Sequence, residues 1–370
     1  MNANVKQDVP HLIIGLDFGS SSTKGCYKLE QGRGTSQFLM EPEVVRIARP
    51  TVENYMLTRL GETLPENSVW VEVDDEFRAV GFLAQRFHGE AGLRELKYER
   101  AVYKTLAAVW VVSQKLGIKG EIIKLSLCSV LPPSEYSDRN RFESKLKASL
   151  REFTVPTGIL HVQLVNFLIR PEGTGIHIAY QYENRQTVLN STVSILMLGY
   201  RNASLLSARR GEILPNYSSD YGFARFIEGV GQRVSGLNFR LATSAIAQAG
   251  FPPNINKLSS LLRSRTPQGR QEDLAILLDA IKIAREDYLE VLLSWLASQQ
   301  PSDIDLIILA GGTAKYFQSE LIERIKDCQV VFGTKNLPGA IIKENHDERF
   351  EDISELFRYF LVKVKQDEKK

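Results

Sequence analysis

The chain has little cysteine, almost no net charge and no long apolar run. Its three cysteines, Cys26, Cys128 and Cys328, are widely spaced among 370 residues. That excludes a disulfide framework or a zinc-ligand pattern and makes a reducing cytoplasm the expected compartment. Forty-six Lys and Arg against 44 Asp and Glu leave +2, too small a charge for general attraction to nucleic acid. Basic stretches at Arg209-Arg210 and at Lys257, Arg263, Arg265 and Arg270 read as solvated faces. No segment approaches the ~18 apolar residues of a membrane span, and MNANVKQDVP lacks the layout of a signal peptide. His11, His88, His161, His177 and His346 show no metal-ligand spacing, and there is neither a low-complexity tract nor an internal repeat.

What is present is 43% hydrophobic residues over a length that suits two α/β domains. The run HLIIGLD (11–17) reads as a buried strand, and 23–29 resumes as a second strand after a polar turn. RAVGFLA (78–84) reads as a short strand. Residues 98–116 carry helical spacing and stop at Gly117. Strands are expected at 121–130, 158–169, 175–182, 192–198, 204–209, 304–309 and 329–332. Helices are expected at 138–150, 220–233, 236–249, 272–297, 315–326 and 351–364. Strands cluster early and strand–helix alternation comes later. This places one domain at 1–187, with a C-terminal helix returning to it over 345–370, and the second at 188–345.

The segment with most chemistry is Ile14-Gly15-Leu16-Asp17-Phe18-Gly19-Ser20-Ser21-Ser22-Thr23-Lys24. A carboxylate ending a buried strand, a glycine turn and a lysine seven residues on suit a polyphosphate. Backbone N–H groups at a tight turn can face a phosphate, and glycine lets the ligand approach the chain. Ser20, Ser21 and Ser22 add hydroxyl donors, and Lys24 adds charge. Asp17 is the candidate ligand for a hydrated Mg²⁺.

This hairpin resembles the first phosphate loop of the superfamily of actins, heat-shock ATPases and sugar kinases. It is similar both to FGGY sugar kinases and to the ParM-type bacterial actins of plasmid segregation. The resemblance implies a two-domain actin-like (ribonuclease H-like) α/β fold with a nucleotide cleft, ATP and Mg²⁺ as cofactors, and self-association into filaments. It further implies an adaptor protein bound to DNA as partner, with no direct nucleic-acid binding by the chain.

Three more segments extend the likeness. Ala310-Gly311-Gly312-Thr313-Ala314, between an apolar strand and a helix, resembles the adenosine loop, giving Gly311, Gly312, Thr313 and Ala314 as nucleotide contacts. Arg170-Pro171-Glu172-Gly173 is similar to the ParM-type segment whose carboxylate orients the attacking water, which assigns that role to Glu172. The stretch Leu127–Tyr136 resembles a strand ending in a Leu-Pro turn. The second phosphate hairpin departs from the pattern. Gly199, Tyr200, Arg201 and Asn202 form its turn, but Met197 stands where an aspartate approaches the metal. Arg201 is then expected to contact phosphate directly, and hydrolysis to be weak or slow.

Two other readings stand beside the filament-forming ATPase. A sugar kinase would need a catalytic aspartate before the second hairpin, and none occurs between Asp138 and Asp220. A non-hydrolysing nucleotide-binding scaffold or regulator fits the loss of charge at Met197.

Overall fold

The computed structural model describes residues 9–93, 95–333 and 347–367. His346, the expected return point at 345 and the last three residues of the tail lie outside them. The chain divides into two compact units, Met1–Ile178 with Asp352–Lys370, and Ala179–Glu351. The sequence reading put these crossings at 187 and near 345.

The first unit is built on a nine-stranded sheet formed by β1 (His11–Phe18), β2 (Thr23–Leu29), β3 (Ser36–Met40), β4 (Val44–Arg46), β5 (Trp70–Val73), β6 (Glu76–Val80), β7 (Ile122–Leu131), β8 (Phe153–Val155) and β9 (Gly158–Pro171), in the order β3-β2-β1-β7-β9-β8-β5-β6-β4. β1 lies between antiparallel β2 and parallel β7, and β7 pairs in parallel with β9. A strand covered on both faces needs apolar residues throughout rather than alternation, which is why β1 reads as a continuous run. The helix Lys97–Lys115 is buried along most of its length, from Tyr98 to Ser113. The C-terminal helix Glu351–Asp367 returns over β1. Gly15 makes that approach possible, because an added Cβ would lie 2.9 Å from the Phe357 ring.

The second unit carries β10 (Thr192–Leu198), β11 (Ala203–Arg209), β12 (Glu212–Ile213), β13 (Tyr217–Ser219), β14 (Leu306–Ala310) and β15 (Gln329–Phe332). Their order is β12-β11-β10-β14-β15, with β13 on β11. The helix Pro267–Gln299 begins with Thr266 accepting a hydrogen bond from Gly269 N, a side-chain N-cap followed by proline in the first turn. Each unit has its own apolar core.

Three expectations are corrected. Residues 175–182 are not a strand but part of the helix Thr174–Glu183. Its β-branched and aromatic residues suggest extension, yet its opening N–H groups are claimed by a carboxylate distant in sequence. Asp352 Oδ2 accepts from Gly173 N at 2.8 Å, and Oδ1 accepts from Gly175 N at 2.7 Å and Ile176 N at 3.3 Å. RAVGFLA is not one strand: β6 ends at Val80, Gly81 takes φ +65°, and Phe82–Arg86 is helical. The expected helix at 315–326 is two short ones, Gly312–Tyr316 and Gln318–Arg324.

Candidate functional site: a buried carboxylate–lysine cluster

β1, β7 and β9 run parallel, so their carboxyl ends share one edge of the sheet. Asp17 sits at that end of β1, and Glu172 directly follows β9. A helix leading back into a parallel strand runs opposite to it. The first residue of the helix before β7, Lys97, therefore arrives at the same edge. Topology alone brings three charged side chains together, and the fourth comes from hairpin register: Lys24 on β2 stands directly opposite Asp17.

The four groups form one chain of contacts. Lys24 Nζ donates to Asp17 Oδ2, and Lys97 Nζ donates to Asp17 Oδ1 at 3.1 Å and to Glu172 Oε1 at 2.7 Å. Side-chain exposures are 9% for Lys97 and 15% for each carboxylate, so water screens these pairs far less than surface ones. Burial pushes the Asp17 carboxyl up, but the Lys24 and Lys97 ammonium groups outweigh it and hold the carboxyl well below the usual range. Burial likewise disfavours the Lys97 ammonium, while Glu172 and Asp17 hold it above its usual range.

The support around these groups is specific. Lys97 opens its helix, where the macrodipole disfavours a cation by about 0.3–1 kcal/mol. Glu135, itself buried, answers that end of the helix by accepting from Lys97 N at 2.5 Å. Glu172 N donates to Leu131 O at 2.9 Å, fixing the turn after β9 to the end of β7. Gly173 follows with φ +90°, a conformation that favours glycine, and Asp352 holds Gly173 and Gly175 from the C-terminal helix. Asp352 is pushed up to about 7, by burial first, with Asp17 and Glu172 adding to it against the Gly173 and Gly175 N–H donors.

At the hairpin tip, an added Cβ on Gly19 would lie 2.7 Å from Ser22 O and 3.3 Å from Lys24 Nζ. Ser21 is exposed and Ser20 half-buried. Ser22 Oγ and Thr23 Oγ1 are buried without a hydrogen-bond partner among the described residues. Buried hydroxyls left unpaired are destabilising unless something satisfies them.

The second unit brings its own expected loops together. Thr313 Oγ1 donates to Gly199 O at 2.7 Å, and Gly311 (φ +92°) passes so close to β10 that an added Cβ would lie 2.5 Å from Leu198 O. The turn carbonyls are engaged by the helix Phe223–Gly231. Phe223 N, Ala224 N and Gly222 N donate to Gly199, Tyr200 and Arg201 carbonyls at 3.1, 2.8 and 3.1 Å. Tyr200 OH lies 3.4 Å from Thr243 Oγ1, Arg201 and Asn202 are half-buried, Gly312 is exposed, and Ala314 is buried. Met197 is half-buried between its register partners Ser204 and Ala310.

Sequence reasoning missed Lys97, Glu135 and Asp352. Lys97 lies just before the helix expected at 98–116, and no local motif marks it.

The cluster does not fit direct ligation of Mg²⁺ by Asp17. Both of its carboxylate oxygens already accept an ammonium N–H, and Mg²⁺ demands oxygen ligands in a near-octahedral shell. Among the described residues no group of three or more His, Cys, Asp or Glu is placed to hold a metal, and no helix is long and apolar enough to cross a membrane.

No protein-family model and no curated protein sequence matches the chain. Solved structures do. A 15-stranded ParM filament from Clostridium botulinum superposes with TM-score 0.63 at 11% identity, over 95% of this chain and 99% of that one. Apo psk41 ParM gives 0.59 at 13% identity, over 97% and 99%. Bacillus thuringiensis ParM with AMPPNP gives 0.58 at 13% identity, over 96% and 99%. Identities this low carry the architecture, and they carry it across nearly the whole chain: the protein has the α/β fold of the actin-like ParM structures.

Proposed function

We propose that this chain is an ATP-binding, filament-forming protein of the plasmid-segregating kind, with slow ATP hydrolysis. The observation that carries the reading is the Asp17–Lys24–Lys97–Glu172 cluster at the tip of the β1–β2 hairpin, on an actin-like fold. Two buried ammonium groups, a turn too tight for any side chain at Gly19 and two unpaired hydroxyls suit a phosphate chain. One of the similar structures is a ParM bound to AMPPNP and another is a ParM filament, which supports nucleotide binding and self-association here. The Gly199–Asn202 turn and the Gly311–Ala314 loop are the second unit's candidate nucleotide contacts. An adaptor protein on DNA remains the partner that the reading implies.

Slow turnover is expected from the make-up of the second hairpin. The second hairpin brings Met197 where a carboxylate would be expected. Loss of a preorganised charged group typically lowers a rate by about 10²–10³. The test is sedimentation with light scattering of the purified chain in ATP, in ADP and without nucleotide. ATP should produce a pelletable polymer that the nucleotide-free sample lacks. Equal behaviour in all three would overturn the filament reading.

A further inference from the structure

We propose that Lys97 supplies at this site the positive charge that a divalent cation would otherwise supply, so that the chain binds ATP without requiring a metal. The inference rests on the nucleotide reading above and narrows it to the ionic form of the ligand.

The geometry makes the case. Lys97 Nζ lies between the two carboxylates nearest the hairpin tip, 3.1 Å from Asp17 Oδ1 and 2.7 Å from Glu172 Oε1. A hydrated Mg²⁺ approaching Asp17 would meet Lys97 on one oxygen and Lys24 on the other. Like charges at that range repel, and buried ones are poorly screened.

The placement of Lys97 is itself an argument. A cation at the first position of a helix works against the macrodipole, and the fold counters this with three carboxylates: Glu135 on the backbone N–H, Asp17 and Glu172 on the ammonium. Lys104, buried two turns further along the same helix, is pushed down to about 7 by burial first and then by repulsion from Lys97 and Arg100, which places the Lys97 charge near it. On the same hairpin as Asp17, the buried Ser22 and Thr23 hydroxyls, without partners among the described residues, are donors a polyphosphate would satisfy.

The test is ATP affinity of the full chain, by isothermal titration calorimetry, in Mg²⁺ and in EDTA. For the wild type, Kd should differ by less than about threefold between the two buffers, well under the tenfold that marks a lost strong contact. Lys97→Met frees Asp17 Oδ1 and Glu172 Oε1 to act as oxygen ligands, and should make binding metal-dependent by about tenfold or more. Lys97→Arg keeps the charge and should stay metal-independent. Wild-type protein that binds ATP in Mg²⁺ and loses it in EDTA overturns the inference while leaving the nucleotide reading intact; Lys97 would then only hold the carboxylates until a metal displaces it. Absence of binding in both buffers brings down the nucleotide reading itself. The wild-type comparison decides the matter even if Lys97→Met fails to fold.

Discussion

Lys97 Nζ stands 2.7 Å from Glu172 Oε1 and ties the start of one helix to the turn after β9, with Asp17 at the end of β1 on its other side. Removing the ammonium takes its partner from the largely buried Glu172 and leaves Asp17 with Lys24. Breaking such a pair is strongly destabilising, by about 3–5 kcal/mol. Lys97→Ala should therefore lower the urea midpoint at pH 7 without changing the slope of the transition.

Asp352 gives a pH dependence of definite sign. Its folded pKa of about 7 lies above the ordinary 3.8, so the folded chain keeps a proton that the unfolded chain releases. Its contribution to stability is then greatest below the unfolded value, falls as pH rises from about 4 to 7, and is flat above that. Over the whole window the loss is on the order of 4 kcal/mol. Asp352→Asn should flatten that slope in urea melts between pH 4 and 7.

Lys104 acts in the neighbouring window. Burial first, then repulsion from Lys97 and Arg100, pushes its ammonium down to about 7 from 10.5. The unfolded chain holds the proton more tightly, so stability rises with pH between about 7 and 10.5, and the penalty is fully present below 7. Lys104→Met keeps the apolar stem without the charge. It should stabilise the protein by a few kcal/mol at pH 7, and by less at pH 10, as read by denaturant melts.

These groups also show what the amino-acid order makes legible. Both hairpins, and the strand–Gly-Gly turn at 306–312, are local objects: apolar runs of strand length interrupted by glycine. Asp17, Lys24, Gly199 and Gly311 were readable for that reason. The helix Thr174–Glu183 was not, because the carboxylate that claims its first N–H groups lies 179 residues beyond Gly173. Lys97 was invisible for a related reason. Its meaning comes from strand order, which places a helix start beside the ends of β1 and β9. RAVGFLA misled because Val80 and Phe82 look alike by composition, while Gly81 at φ +65° separates strand from helix.

Gly311 is the position in the second unit most sensitive to substitution. Its φ of +92° disfavours any side chain, and a Cβ would press on Leu198 O at 2.5 Å. Gly311→Ala should destabilise the protein by about 1–3 kcal/mol from backbone strain alone. The crowding should also disturb the Thr313–Gly199 hydrogen bond, so the thermal midpoint should fall and any ATP affinity should weaken with it.

The measurement closest to the central claim is titration of ATP into wild-type protein and into Lys24→Ala. Lys24 pairs with Asp17 across the hairpin, and its side chain is 10% exposed. The account predicts one ATP bound per chain, with affinity at least about tenfold weaker in Lys24→Ala, while circular dichroism shows both proteins folded. A wild type that takes up no ATP, or a folded Lys24→Ala that binds it as tightly as the wild type, would contradict the assignment of this hairpin as the phosphate site.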